Sequence, residues 1–280
     1  MRLAVERDPN RSRYERRSAV REWATKAHLE APERTALDLL GPDLARIRLL
    51  DLGVGGGRTT VHFAPLVAEY VGVDYSAPLV EACRRRFDGD PSVEFVHADA
   101  RSIPYPDHSF DLVVFSVNGI DCLDHEGRMA ALREVARLCR PGGLFFFSSH
   151  NLDAIEEAIS LAGRLRALRA TRRRARLPLA VVKHLPGAVL TRYSNPAPSE
   201  LVKRDWVWLS KGWPLWAPCR TYHATPAEVS RQLNSVGFDL ETVILPSQTV
   251  VPYEACLGRR DDLWLNYLAR RRSPAGAAGT

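Results

Sequence analysis

Three carboxylates and a run of glycines carry the chemistry. Leu49-Leu-Asp51-Leu-Gly53-Val-Gly55-Gly56-Gly57-Arg58 has the form DxGxGxG. Glycines between a strand and a helix let the backbone turn sharply and meet a ligand where a Cβ would intrude. A dinucleotide fingerprint, GxGxxG, needs glycine at position 58; arginine stands there, so a pyrophosphate ligand is disfavoured. No GK[ST] follows, which excludes a P-loop. Asp74 closes the next apolar run, where an acid can accept hydrogen bonds from both ribose hydroxyls. Asp99 follows the third run, in Phe95-Val-His-Ala98-Asp99-Ala100. Its carboxylate can accept from an adenine amino group while the next backbone N–H meets a ring nitrogen. Together these residues outline a site for adenosine without phosphate.

The positioning elements have an alternating rhythm. Ile47–Asp51, Tyr70–Asp74, Val93–His97, Phe110–Ser116 and Leu144–Ser148 are short apolar runs, which read as buried parallel strands. Helices are expected at 58–68, 77–87 and 126–139, the last stopped by Pro141-Gly142-Gly143. Strands alternating with helices give a doubly wound α/β sheet, whose ligands sit at the carboxyl ends of the strands. Asp51, Asp74, Asp99 and Ser116 fall at or just past those ends. Residues 11–40 read as a helical cap over the ligand edge. Thr225-Pro226-Ala227-Glu228 opens a further helix as a capping box, and Asp239–Leu245 with Leu263–Leu268 could close the sheet as an antiparallel hairpin.

Composition narrows the class. The chain has 280 residues, 45% hydrophobic and 26% charged, which excludes disorder as the main description. No apolar run approaches the roughly 18 residues that cross a bilayer, and the start lacks the core of a secretion signal. Cys83, Cys122, Cys139, Cys219 and Cys256 are scattered without a CxxC pair, so no metal site is expected and a cytoplasmic location fits. The net charge of +6 permits an anionic partner without demanding one.

These residues resemble class I S-adenosylmethionine-dependent methyltransferases, in their small-molecule branch. The resemblance covers 46–151 through the glycine motif, Val71-Gly-Val-Asp74-Tyr75-Ser76, Asp99-Ala100, Phe110-Asp111-Leu-Val and Arg140-Pro-Gly-Gly-Leu, and it resumes at 222–269. It implies a Rossmann-like seven-stranded sheet of order 3-2-1-4-5-7-6 with strand 7 antiparallel. It also implies S-adenosylmethionine as cofactor, with S-adenosylhomocysteine as product. The expected cofactor contacts are Asp51, Gly53, Gly55, Gly57, Asp74, Tyr75, Asp99, Ala100, Ser116, Val117 and Asn118. Gly53 and Gly55 approach the methionine moiety in this reading, and Ser116-Val117-Asn118 lines the floor near the sulfonium.

The expected organisation is a cap at 1–45, a cofactor-binding core at 46–151 and 222–272, an inserted substrate lid at 152–221 and a frayed tail at 273–280. Asp51 could cap the turn or support the ligand, Asp111 ties backbone together, and Arg58 pairs with a carboxylate or is solvated. Methyl transfer needs mainly alignment of donor and acceptor, so no catalytic residue is obligatory. If the acceptor is a hydroxyl, a general base helps. His150, just past the fifth strand, is the first candidate, followed by Asp121 and His223; His62 and His97 are read as packing residues.

The insertion holds two unusual compositions. Arg164–Arg176 contains seven arginines, which read as a solvated helix face or as a surface for an acidic substrate or RNA. Trp206, Trp208, Trp213 and Trp216 read as a lid core or as a wall for a flat aromatic acceptor. The expected activity is methylation of a small hydrophobic or aromatic metabolite. The alternatives are an RNA methyltransferase and a protein that binds the cofactor without methylating.

Overall fold

The computed structural model describes residues 9–155, 193–211 and 219–273. Five apolar runs form parallel strands β1 (Arg48–Leu52), β2 (Glu69–Asp74), β3 (Val93–His97), β4 (Phe110–Phe115) and β5 (Cys139–Asn151), in the spatial order β3-β2-β1-β4-β5. β1, β2 and β4 are buried almost throughout, as continuous rather than alternating apolar sequences require, while the edge strand β3 buries only Phe95 fully. After the hairpin β6 (Trp206–Lys211) and β7 (Cys219–Ala224), the sheet is completed by β8 (Phe238–Ile244), β9 (Val250–Val251) and β10 (Trp264–Arg271). β10 lies antiparallel between β5 and β8, so the expected order 3-2-1-4-5-7-6 stands, with β10 in the place of strand 7 and β8 in that of strand 6.

Helices cover both faces. On one side α6 (His125–Leu138) and α8 (Pro226–Ser235) bring Leu132, Val135, Val229 and Leu233 against Phe145, Phe147 and Tyr267. On the other, α3 (Ala31–Leu40), α4 (Thr60–Phe63) and α5 (Ala77–Arg86) bring Ala36, Phe63, Val80 and Cys83 against Leu49, Val114 and Phe146. The short helix α7 (Pro198–Leu201) precedes the hairpin. Thr225 caps α8, its hydroxyl accepting from the Glu228 N–H. Among the described residues no helix is long and apolar enough to cross a membrane, and no group of three His, Cys, Asp or Glu is placed to hold a metal.

Several expectations shift. Among the described residues the sheet has ten strands rather than seven, because β9 caps its edge and the β6–β7 hairpin joins it. β5 runs for 13 residues, and its end pairs with β7 through His150–His223 and Asn151–Ala224. The boundary expected between 221 and 222 therefore falls inside β7. The helix expected at 58–68 is α-helical only at Thr60–Phe63, since Pro65 has no N–H to continue the ladder. The cap is three helices, α1 (Pro9–Tyr14), α2 (Arg17–Ala24) and α3. Between α2 and α3 the chain leaves the helix, and the Ala24 and Lys26 carbonyls accept from Arg86, that of Ala27 from His62 and that of His28 from Arg58. His62 thus ties the cap down, and His97 is exposed with its Nε2 3.0 Å from the Tyr75 carbonyl; neither packs in the core. Arg164–Arg176, Trp213, Trp216 and residues 274–280 lie outside the described residues.

Phe147 stacks on Phe145 at 4.5 Å and on Tyr267 at 5.2 Å between ring centres. Phe147→Ala is expected to cost about 3–5 kcal/mol in urea unfolding. A cost below about 1 kcal/mol would contradict this packing.

Candidate functional site

The loop from Gly53 to Arg58 takes its shape from left-handed backbone. Gly53, Gly55 and Gly57 have φ of +65°, +59° and +80°, a region that side-chain-bearing residues rarely adopt. Gly53 is exposed, and a Cβ there would sit 3.0 Å from the Phe115 ring. Gly56 serves a different purpose: a Cβ would run into the Trp23 carbonyl and the Ala24 backbone. A Cβ at Gly57 would meet the Phe87 ring at 2.5 Å. Two of the four glycines therefore make room for protein rather than for a ligand.

Two buried carboxylates hold this loop. Asp51 accepts from the Thr59 and Tyr70 hydroxyls through Oδ2. Burial pushes its pKa up to about 6, against those two hydrogen bonds. Asp74 accepts from the Gly55 N–H at 2.9 Å and the Ser76 N–H at 2.8 Å, and burial raises its pKa as well. Asp51 thus fixes the start of α4 against β2, while Asp74 fixes the turn itself.

A cavity of about 760 Å³ opens above the loop, within the range of small-molecule sites. Gly53, Asp74, Tyr75, Asp99, Ala100, Ser116 and Val117 line it, as do Tyr14 and Trp23 of the cap and Trp208, Ser210 and Arg220 of the hairpin. Of the expected cofactor contacts, Asp51, Gly55, Gly57 and Asn118 are not in its wall among the described residues. Asp99 is gripped by Arg101, which donates through Nε at 2.8 Å and a terminal nitrogen at 2.7 Å and holds the carboxyl below its usual range. Val117 and Asn118 have φ of +51° and +56°. For a β-branched residue such as Val117 this is an outlier, of the kind that gathers at binding sites. The Asn118 N–H donates to the Ser148 hydroxyl at 2.7 Å.

Arg58 is neither solvated nor exposed. Its terminal nitrogens engage both Glu33 oxygens, at 2.6 and 2.5 Å, and reach the Ser116 hydroxyl at 3.2 Å. This buried pair joins α3 to the loop and to the end of β4.

Asp121, His150 and His223 come together on the far side of the turn Gly119–Cys122. Asp121 is fully buried and accepts from Arg128 at 2.6 Å, from the Ser149 hydroxyl at 2.7 Å, and from both the N–H and Nδ1–H of His150 at 2.6 Å. The His150 and His223 rings lie 4.6 Å apart. None of the three is in the wall of the described cavity. Arg128, also fully buried, compensates the Asp121 charge and reaches Gln232 at 2.9 Å. Asp111 accepts from the Arg48 N–H at 2.7 Å, tying β4 to β1 as expected.

Comparison with known proteins agrees with this geometry. Residues 49–143 match the family described as "Methyltransferase domain". That stretch, which carries the glycine turn, Asp74 and Asp99, is thus similar to a methyltransferase domain. A demethylmenaquinone methyltransferase from Clavibacter sepedonicus is 40% identical over 34% of this chain and 38% of its own length. The chain spans about half the length of other curated relatives it matches. A structure described as a putative S-adenosylmethionine-dependent methyltransferase from Listeria monocytogenes aligns with a TM-score of 0.59 and 17% identity, over 87% of this chain and 98% of that one. The Burkholderia thailandensis 1,6-didemethyltoxoflavin-N1-methyltransferase, solved with its substrate and S-adenosylhomocysteine, aligns with a TM-score of 0.57 and 15% identity, over 98% of this chain and 93% of that one.

The cavity wall suits such a nucleoside. The open backbone at Gly53 leaves space where a side chain would fill it. Each Asp74 oxygen takes one backbone N–H, leaving a lone pair for a hydroxyl donor. The Asn118 Oδ1 is buried without a partner among the described residues, behind that wall. Sequence reasoning missed Glu33, Arg128 and the hairpin's part of the wall, because these partners meet only through the fold.

The Asp51 pKa sets a pH dependence. Its folded value near 6 exceeds the model-compound value of 3.8, so stability from this group is full below about pH 4 and falls as pH rises to about 6. The expected loss is about 2–3 kcal/mol. Denaturation of wild type and Asp51→Asn from pH 4 to 7 should show this falling limb in wild type and its absence in the variant; parallel curves would contradict the buried carboxyl.

Proposed function

We propose that the protein transfers a methyl group from S-adenosylmethionine to a small-molecule acceptor. The observation that carries this reading is that Asp74 and Gly53, where the left-handed turn begins, share one cavity wall with Ser116 and Val117. In this reading Asp74 takes the ribose hydroxyls, and Asp99, steadied by Arg101, takes the adenine amino group with the adjacent Ala100. Tyr75 borders the nucleoside, Gly53 gives the methionine chain room, and Gly55 holds Asp74 in place through its N–H. S-adenosylmethionine bound there supplies an electrophilic methyl group. Tyr14, Trp23 and the hairpin exclude water and orient the acceptor, an alignment that can be worth about 7–11 kcal/mol.

For a hydroxyl acceptor the proposed base is His150, which stands behind the described cavity wall and serves only an acceptor that reaches past it. Its Nδ1 lies 2.6 Å from the Asp121 carboxylate, which fixes the orientation of the ring. Asp121 is a positioning residue in this scheme, and His223 supports the ring. The small-molecule preference draws on the size of the cavity and on the relatives' named substrates, rather than on a basic RNA surface.

Thermal shift with S-adenosylhomocysteine tests the cofactor. Asp74→Ala removes an ionised acceptor for two hydroxyls, each bond worth about 1.5–3 kcal/mol, so affinity should fall about 100-fold or more. Equal stabilisation of both proteins would remove the ribose assignment. With methyl-labelled cofactor and cell extract, label is expected in small molecules; label in RNA, or binding without label anywhere, would support the two alternatives. His150→Gln should lower turnover by roughly 10²–10⁴-fold with unchanged S-adenosylhomocysteine binding; unaltered turnover would exclude His150 as the base.

A further inference from the structure

The part of the cavity wall that lies outside the cofactor-binding frame has its own chemistry. The β6–β7 hairpin pairs Trp208 with Tyr222 and Ser210 with Arg220, so Trp208, Ser210 and Arg220 stand on one face of the hairpin. All three line the cavity. Ser210 and Arg220 are directly opposite, close enough for a hydroxyl and a guanidinium to meet the same small group.

Arg220 is the cation available there. Among the described residues no acid pairs with it. Its neighbours in the wall are already committed: Arg11 pairs with Glu15 at 2.8 Å, Arg101 with Asp99 at 2.7 Å, and Arg58 with Glu33 at 2.5 Å. Asp124 is likewise engaged, accepting from the Gly127 N–H at 2.8 Å at the start of α6.

The backbone that presents Arg220 is fixed in place. Asn10, 1% exposed, accepts from the Arg220 N–H at 3.0 Å and donates to the Arg220 carbonyl at 3.0 Å and to the Cys122 carbonyl at 2.7 Å. One buried amide thus locks α1, β7 and the Gly119–Cys122 turn around this corner of the cavity. A guanidinium on a locked backbone beside an indole is arranged for a planar ring bearing an anion, since arginine's fork matches a carboxylate and tryptophan offers a stacking face.

We infer that the methyl acceptor is an aromatic anion, its carboxylate or equivalent acidic group bound by Arg220 and Ser210 and its ring placed against Trp208. This rests on the methyltransferase reading and names the substrate class of that site. The anionic group is held by the protein and is not the atom methylated. The acceptor's nucleophilic atom forms its bond to the methyl carbon as the carbon–sulfur bond breaks, its proton passes to a base, and the sulfonium leaves as a neutral thioether. The product keeps the acceptor's negative charge.

The test uses the full chain with methyl-labelled S-adenosylmethionine and a small-molecule extract, the labelled products being separated by charge at neutral pH and by ultraviolet absorbance. Label is expected in the anionic, ultraviolet-absorbing pool. Arg220→Gln should reduce it at least about tenfold, the size of one lost charge-assisted interaction, while thermal stabilisation by S-adenosylhomocysteine stays unchanged. The substituted side chain is exposed and its backbone contacts remain, so folding is not at issue. Label in neutral or cationic products, or equal labelling by Arg220→Gln, overturns the inference and leaves methyl transfer standing. Wild-type protein that is not stabilised by S-adenosylhomocysteine overturns the parent reading instead, and stabilisation with no label in any pool overturns both.

Discussion

Asp51 and Asp74 are carboxylates in surroundings that disfavour charge, and each is kept there by hydrogen bonds that close one part of the turn between β1 and α4. Asp51 draws Thr59 and Tyr70 together, so the strand, the helix start and the neighbouring strand share one point. Asp74 draws the Gly55 N–H across from the next strand. Remove these constraints and Gly53, Gly55 and Gly57 are three of the most flexible residues in the chain, with no reason to keep the left-handed shape that opens the cavity. Burial makes both acids costly, and their hydrogen bonds offset that cost only in this geometry.

The cap is fitted to this turn. Gly56 lacks a side chain because the Trp23–Ala24 backbone lies against it, and Arg86 binds the Gly56 carbonyl together with those of Ala24 and Lys26. The Arg58–Glu33 pair adds a second tie from the same loop, through α3. Breaking such a pair from one side leaves a buried charge uncompensated, so the cap and the loop are coupled rather than merely adjacent. The hairpin completes the enclosure from the other side, hung on the last residues of β5 and clamped to α1 by Asn10.

The frame was legible because parallel strands buried on both faces leave uninterrupted apolar runs, and because the acids at their ends have few other reasons to recur. Leu263–Leu268 as the antiparallel strand beside β5 was visible for the same reason. The length of β5 was not, since its continuation past Ser148 is polar and is stabilised by pairing with β7, a partner far along the chain. Glycine spacing also misled in part: the pattern shows where side chains are absent, yet Gly56 and Gly57 face the cap and Phe87 instead of the cavity. Arg58 could be read as paired or solvated from sequence, and only the approach of α3 decides for Glu33. His150, Asp121 and His223 stand apart in the sequence, past the fifth strand, past the fourth and at the end of the inserted segment; that they form one cluster with Arg128 depends on the turn Gly119–Cys122 folding back over β5.

A crystal structure of the protein with S-adenosylhomocysteine bears most directly on the claim that this turn and its two acids build a nucleoside site. The account predicts both ribose hydroxyls within hydrogen-bonding distance of the Asp74 carboxylate, with the amino acid end of the ligand over Gly53. A ligand seated elsewhere, or one that leaves Asp74 untouched, would contradict it.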